Sequence, residues 1–137
     1  MASRLNPYIS FDGNAREALS FYEQVFGGSL TVSTFGEYGT PDAPGADKIM
    51  HGQLETPAGY TLMAADTPPG MDVTVGTNVS ISLSGDDVDE LRGYFSGLAA
   101  GGVVTVPLEK QMWGDEFGMC VDQFGVGWMV NISQPAG

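Results

Sequence analysis

His51 is the only histidine and Cys120 the only cysteine among 137 residues, and Trp113 and Trp128 are the two tryptophans. Imidazole is the ordinary side chain for proton transfer near neutral pH, so His51 is the candidate catalytic base. One histidine alone does not build a metal centre. One cysteine excludes an internal disulfide and a cysteine-only zinc site. Cys120 stands between Met119 and Val121, with no basic neighbour in sequence to favour a thiolate. It reads as a buried, inert thiol. Asp86, Asp87, Asp89 and Glu90 form an acidic cluster that a helix cap and a solvated helix face explain. Asp66 and Asp72 flank a Pro/Gly loop and read as residues without a role. Glu109, Lys110 and Gln111 precede Trp113 and are candidates for polar contacts beside it.

The elements that position these residues come from an internal repeat. ISFDGNAREALSFYEQVFGGSLTV starts at Ile9, and ISLSGDDVDELRGYFSGLAAGGVVTV starts at Ile81. Gly13 matches Gly85, Leu19 matches Leu91, and Gly27-Gly28 matches Gly101-Gly102 after a two-residue insertion. HGQLETPAGYTLM from His51 aligns with FGMCVDQFGVGWM from Phe117. Phe117 thus takes the place of His51, and Met129 the place of Met63. A repeat of this kind decides the fold before any single element does.

Each half reads as β-α-β-β-β. In the first, Tyr8 to Phe11 is a strand and about Asn14 to Phe26 a helix, with Asn14 and Glu17 as a capping box. Ala15, Ala18, Leu19, Tyr22, Val25 and Phe26 make its apolar stripe. Strands follow at Leu30 to Phe35, Lys48 to Glu55 and Tyr60 to Ala65. Thr56-Pro57-Ala58-Gly59 is the turn between the last two. Gly36 to Asp47 is a long loop, a candidate lid. Asp66 to Thr77 is the linker, rich in proline and glycine.

The second half starts with a strand at Val79 to Leu83 and a helix near Asp86 or Asp87, with Glu90 placed for another capping box. Val88, Leu91, Phe95, Leu98 and Ala99 give that helix its apolar face. Gly93 and Gly97 read as points of close packing against the sheet. Strands at Val103 to Pro107, Glu116 to Asp122 and Gly127 to Ile132 complete the copy. The fold class is α+β: two β-α-β-β-β modules, 5–66 and 78–133, in one domain over 1–137. They are expected to form a half-open mixed-sheet barrel around a central cleft that holds a small molecule. Along the last strand, alternation puts Trp128 and Val130 on the face opposite Met129.

Composition narrows the function classes. Five basic residues stand against seventeen acidic ones, a net charge of −12. That leaves no basic stripe for a phosphate backbone and repels an anionic membrane, so neither nucleic acid nor membrane is an expected partner. Hydrophobic residues at 42% are enough for a real core, against a disordered chain. No signal peptide and no apolar run of about 18 residues is visible, which reads as cytoplasmic.

Paired β-α-β-β-β modules resemble the vicinal oxygen chelate superfamily, the glyoxalase, bleomycin-resistance and dioxygenase group. PYISFDGNAREALSFYEQVFGG and WGDEFGMCVDQFGVGWMVN look like its PhnB-like branch, whose members also carry the name demethylubiquinone methyltransferase-like. No G-x-G run follows the first strand and no parallel β-α-β series exists here to seat a methyl donor.

The resemblance implies a homodimer and, in the superfamily's enzymes, one divalent metal held by His, Gln or Glu on the first and last strands of each module. The last-strand positions fall here on Met63 and Met129, and the first-strand positions near Asn6 to Tyr8 and Asn78 to Ser80. A thioether is a soft ligand unsuited to such an ion. This reading assigns no metal and no cofactor. It expects a small apolar or planar ligand touching Met63, Trp113, Phe117 and Met129. The alternatives are a metal-dependent glyoxalase or dioxygenase reaction, or a metal-free enzyme with His51 as base.

Overall fold

The computed structural model describes residues 3–39, 41–68 and 70–134. Pro69, one of the linker prolines, lies outside the described residues. The chain falls into two compact units, Met1–Thr74 and Val75–Gly137. The first holds β1 (Tyr8–Phe11), α1 (Ala15–Phe26), β2 (Ser29–Thr34), β3 (Ile49–Glu55) and β4 (Thr61–Asp66). The second holds β5 (Ile81–Gly85), α2 (Val88–Ala99), β6 (Val103–Lys110), β7 (Glu116–Val121) and β8 (Gly127–Ile132).

The two sheets have the same topology, β1-β4-β3-β2 and β5-β8-β7-β6. In each, the outer first strand runs parallel to the last strand and the other pairs are antiparallel. The α+β class and the twofold β-α-β-β-β order are as the repeat predicts. Each sheet is an open four-stranded layer.

One helix covers one face of each sheet. Ala15, Ala18, Leu19, Tyr22 and Phe26 bury the stripe of α1, while Val25 stays half-exposed. Leu91, Tyr94, Phe95 and Leu98 do the same for α2. The sheet residues beneath alternate in burial. Leu54, Leu62 and Ala64 are buried in the first unit, and Trp128, Val130 and Ile132 in the second. Among the described residues of each unit, no second α-helix covers the opposite face of its sheet.

The caps depart from expectation. Asn14 makes no side-chain cap bond; the N–H of Ala15 goes instead to a carboxylate oxygen of Asp66 at 2.9 Å. At α2, Asp87 does cap, accepting from the Glu90 N–H at 3.1 Å. Glu90 does not reach back to complete a box, because its carboxylate takes the Tyr94 hydroxyl at 2.6 Å. Gly93 is exposed with nothing within 4 Å of a modest side chain there, so it marks no close packing. β5 lies two residues later than expected. β6 runs on to Lys110 through two irregularities in its pairing, which accommodate Pro107 on an edge strand.

Close approach, rather than turn geometry alone, fixes an equivalent glycine in each unit, and Gly118, against the Leu108 backbone, besides. A Cβ on Gly28 would collide with the carbonyl of Glu55, and one on Gly102 with that of Val121. Gly52 is different: its Cβ would meet Leu19 Cδ1, the end of a mobile side chain. We expect Gly102→Ala to destabilise the fold by about 3 kcal/mol or more, and Gly52→Ala by about 1–2 kcal/mol, because only Leu19 can move aside. Urea unfolding midpoints of the two variants check the order.

Candidate functional site

On the helix-free face of the first sheet stand Tyr8 and Ser10 from β1, Met63 and Ala65 from β4, and His51 and Gln53 from β3. The register sets Tyr8 against Met63 and Met63 against Gln53. Ser33 pairs with His51 and Thr34 with Ile49, so Met50 is the extra residue of a bulge. A bulge of this kind re-aims a side chain. The Tyr8 hydroxyl lies 3.4 Å from His51 Nδ1, and the two rings are 5.8 Å apart. Further along the face, the Glu55 carboxylate accepts from the Thr61 hydroxyl at 2.7 Å, Gln53 Nε2 at 2.5 Å and Arg4 Nη1 at 3.2 Å. Those bonds, Thr61 first and Gln53 next, hold the Glu55 carboxyl below its ordinary range.

A cavity of about 550 Å³ opens at the end of this face. Tyr8, Ser10, Met50 and Ala65 form its floor, Phe35 one side, and residues 67–68 and 71–74 its wall. The linker therefore supplies a wall, and none of the described residues of the 36–47 loop lines this cavity. That loop is tied across its own base by Gly36 N–H to Ala46 O at 2.9 Å and Lys48 N–H to Gly45 O at 3.0 Å. The wall is anchored where Thr67 N–H meets Phe11 O at 2.7 Å and Met71 N–H meets Pro68 O at 3.2 Å.

Asp66 also lines the cavity, and it corrects the expectation of a residue without a role. It is only 4% exposed. One oxygen accepts from Ala15 N–H and the other from Ile49 N–H, both at 2.9 Å. The second bond sits beside the bulge that sets Met50 and His51 on the helix-free face.

In the second unit the helix-free face carries Ser82, Phe117, Met119, Met129 and Asn131. Met119 pairs with Met129, and Phe117 with Asn131. Trp113, 59% exposed, packs edge-on against Phe117 with centroids 6.1 Å apart. The structure thus brings Trp113, Phe117 and Met129 together on one face of the second unit, and His51 and Met63 on a face of the first. Asn131 Nδ2 donates to Asp115 at 3.0 Å. Gln111 Nε2 donates to the backbone of Glu109 at 2.9 Å instead of standing free. Trp128 is core, its Nε1 donating to Asp122 at 2.8 Å. Cys120 is buried, and burial, with the Asp122 charge behind it, pushes its thiol up to about 11. It is therefore no nucleophile at neutral pH.

The donor set can be tested against a divalent ion. By register, the first-strand residues opposite Met63 and Met129 are Tyr8 and Ser82, two residues beyond the Asn78–Ser80 stretch the repeat suggested. Two hydroxyls and two thioethers do not suit a hard or borderline cation. Asn6 donates its amide to Pro7 O, and Asn78 is exposed. Among the described residues no group of three or more His, Cys, Asp or Glu could hold a metal ion. The residues do not fit the metal that the resemblance implies.

Comparison with known proteins completes the picture. The Glyoxalase/Bleomycin resistance protein/Dioxygenase superfamily matches residues 4–130. The chain belongs to this superfamily. The crystal structure of protein PA1353 from Pseudomonas aeruginosa is similar at 41% identity and a TM-score of 0.86, over 98% of this chain and all of that one. Protein YjdN of Escherichia coli is 29% identical over 93% of this chain and 94% of its own. The PhnB protein of Bacillus cereus, at 24% identity over 96% of this chain and all of its own, shares the fold with a TM-score of 0.75. The superfamily's fold and its PhnB-like neighbours are as the sequence words indicated. Among the described residues no helix is long and apolar enough to cross a membrane.

Sequence reasoning missed Tyr8, Met50 and Asp66 as site residues. Asp66 had a visible signal: a lone carboxylate closing the apolar run LMAA. We expect Asp66→Asn to destabilise the protein by about 2 kcal/mol, since an amide offers one acceptor oxygen to two buried N–H donors. Chemical denaturation measures the loss, and the amide signals of Ala15 and Ile49 should move the most in an NMR spectrum.

Proposed function

We propose that this superfamily member binds a small apolar or planar molecule on the helix-free faces of its sheets, without a metal ion. The observation that carries the reading is the pairing of Tyr8 with Met63 and of Ser82 with Met129 at the places where the resemblance implies metal ligands. Thioethers there give a polarizable, adaptable surface in place of a charged donor. The cavity of about 550 Å³ is of small-molecule size and joins Met50, Met71 and Phe35 to a few hydroxyls. Trp113 and Phe117 offer a planar ligand an aromatic edge on the second unit's face.

Titration of chelator-treated protein with prodan, a neutral planar fluorophore, tests this. Saturable binding in the micromolar range is expected, weakened about fivefold by Met50→Ala through lost apolar contact. No saturation at millimolar probe, or binding that needs added metal, overturns it.

The Tyr8–His51 contact at 3.4 Å favours a second reading, in which His51 acts as a base toward a bound carbon acid. Benzyl methyl ketone in D₂O is a suitable probe, since it exchanges its α-protons slowly by itself. Exchange should be accelerated by the protein and return to the solvent rate in His51→Ala, with prodan affinity held within about twofold. Unchanged exchange in the variant removes the base.

A further inference from the structure

We infer that the molecule the first unit's cavity takes is an organic cation, a positively charged group on a planar or apolar body. This rests on the binding reading above and adds the sign of the ligand's charge.

The polar side chains among the lining residues carry only hydroxyls and carboxylates: Tyr8, Ser10, Thr67 and Thr74, with Asp72 and with Asp66, whose oxygens are turned to the helix side. Among the described residues no lysine, arginine or histidine lines it. Asp66 spends both oxygens on backbone N–H groups, while Asp72, on the exposed wall, is left as the charge at the mouth. The first unit's own three basic residues are not among those lining the cavity. Arg4 pairs with Glu55 at 3.2 Å. Arg16 donates to Asp47 O at 3.4 Å and Lys48 to Gly13 O at 3.1 Å.

An anion would therefore enter a field of one sign, set by a net charge of −12, with no counter-charge to meet it. A cation gains from Asp72 and from the aromatic residues Phe35 and Tyr8, whose rings attract positive charge through the quadrupole. Met50 and Met71 supply soft contacts for the body that carries it.

Three probes of matched shape decide the question with the full chain at pH 7.5 and low salt: N-methylquinolinium, quinoline and quinoline-2-carboxylate. We expect the cation to bind about fivefold more tightly than quinoline, the anion to bind weakest, and the cation's advantage to shrink as salt rises. Asp72→Asn should erase that advantage and leave quinoline within about twofold. Asp89→Asn makes the same change in net charge away from the cavity and should preserve it. Equal affinities, or a preference for the anion, overturn the charge inference and leave the binding reading standing. An advantage that survives Asp72→Asn overturns it too, assigning the preference to net charge alone. If none of the three binds at millimolar concentration, both readings fall.

Discussion

A buried carboxylate that two backbone N–H groups share sets the geometry of the first unit. Asp66 is the last residue of β4, and it faces the helix side of the sheet at 4% exposure. A carboxylate so placed is costly unless its oxygens are occupied, and both are. One bond starts α1 and the other starts β3. Helix start, strand start and strand end therefore meet at a single group. The bulge lies one step from that point, so the direction of Met50 and His51 depends on it. The second unit solves the same problem locally. Ile132 stands at the place of Asp66, as the matching registers Gln53–Met63 and Met119–Met129 require, and α2 is capped by its own Asp87. Only one half of the repeat ties its helix to the end of the sheet where the cavity opens.

Elsewhere the halves reuse one device with different side chains. The turn after β3 is closed by the Thr56 hydroxyl, which accepts the Tyr60 N–H at 3.0 Å. In the second unit Asp122 occupies that place and accepts the N–H of Val126 at 3.1 Å. Its second oxygen reaches Trp128 Nε1, so a larger core residue than Leu62 becomes possible on β8. The Asp122 charge next to buried Cys120 is one consequence, and it adds to burial in keeping that thiol protonated. The second half is thus built as a core around a tryptophan, and the first as a scaffold around a cavity.

The elements themselves were legible because each is written in local pattern. Each helical stripe, each glycine stop and the Thr56–Gly59 turn is written within about a dozen consecutive residues, and the repeat states each twice. Trp128 as core follows from strand alternation once the resemblance sets Met129 on the inner face. The failures share a cause: they depend on residues far apart in sequence. Asn14 looks like a cap because the competing acceptor is 51 residues away. Asp66 and Asp72 look like loop residues because the cavity they line is assembled from β1, β3 and the segment after β4. Met50 is invisible because a bulge breaks the alternation from which its direction would be read. Gly93 shows the reverse error, a local signal with no tertiary counterpart.

The face opposite the helices is where this member departs from what its superfamily resemblance implies, and the departure has a physical consistency. A divalent ion needs charged or strongly polar donors converging on a point. Here the registered positions offer hydroxyls and thioethers, and the nearby carboxylates are already occupied: Glu55 by Thr61, Gln53 and Arg4, and Asp66 by two amides. Spreading the negative groups among separate partners removes the concentration of charge that a metal would require. On the proposed reading, affinity then depends on contact area and polarizability. A fold sets where a ligand can sit, and the side chains on that face set what it can be.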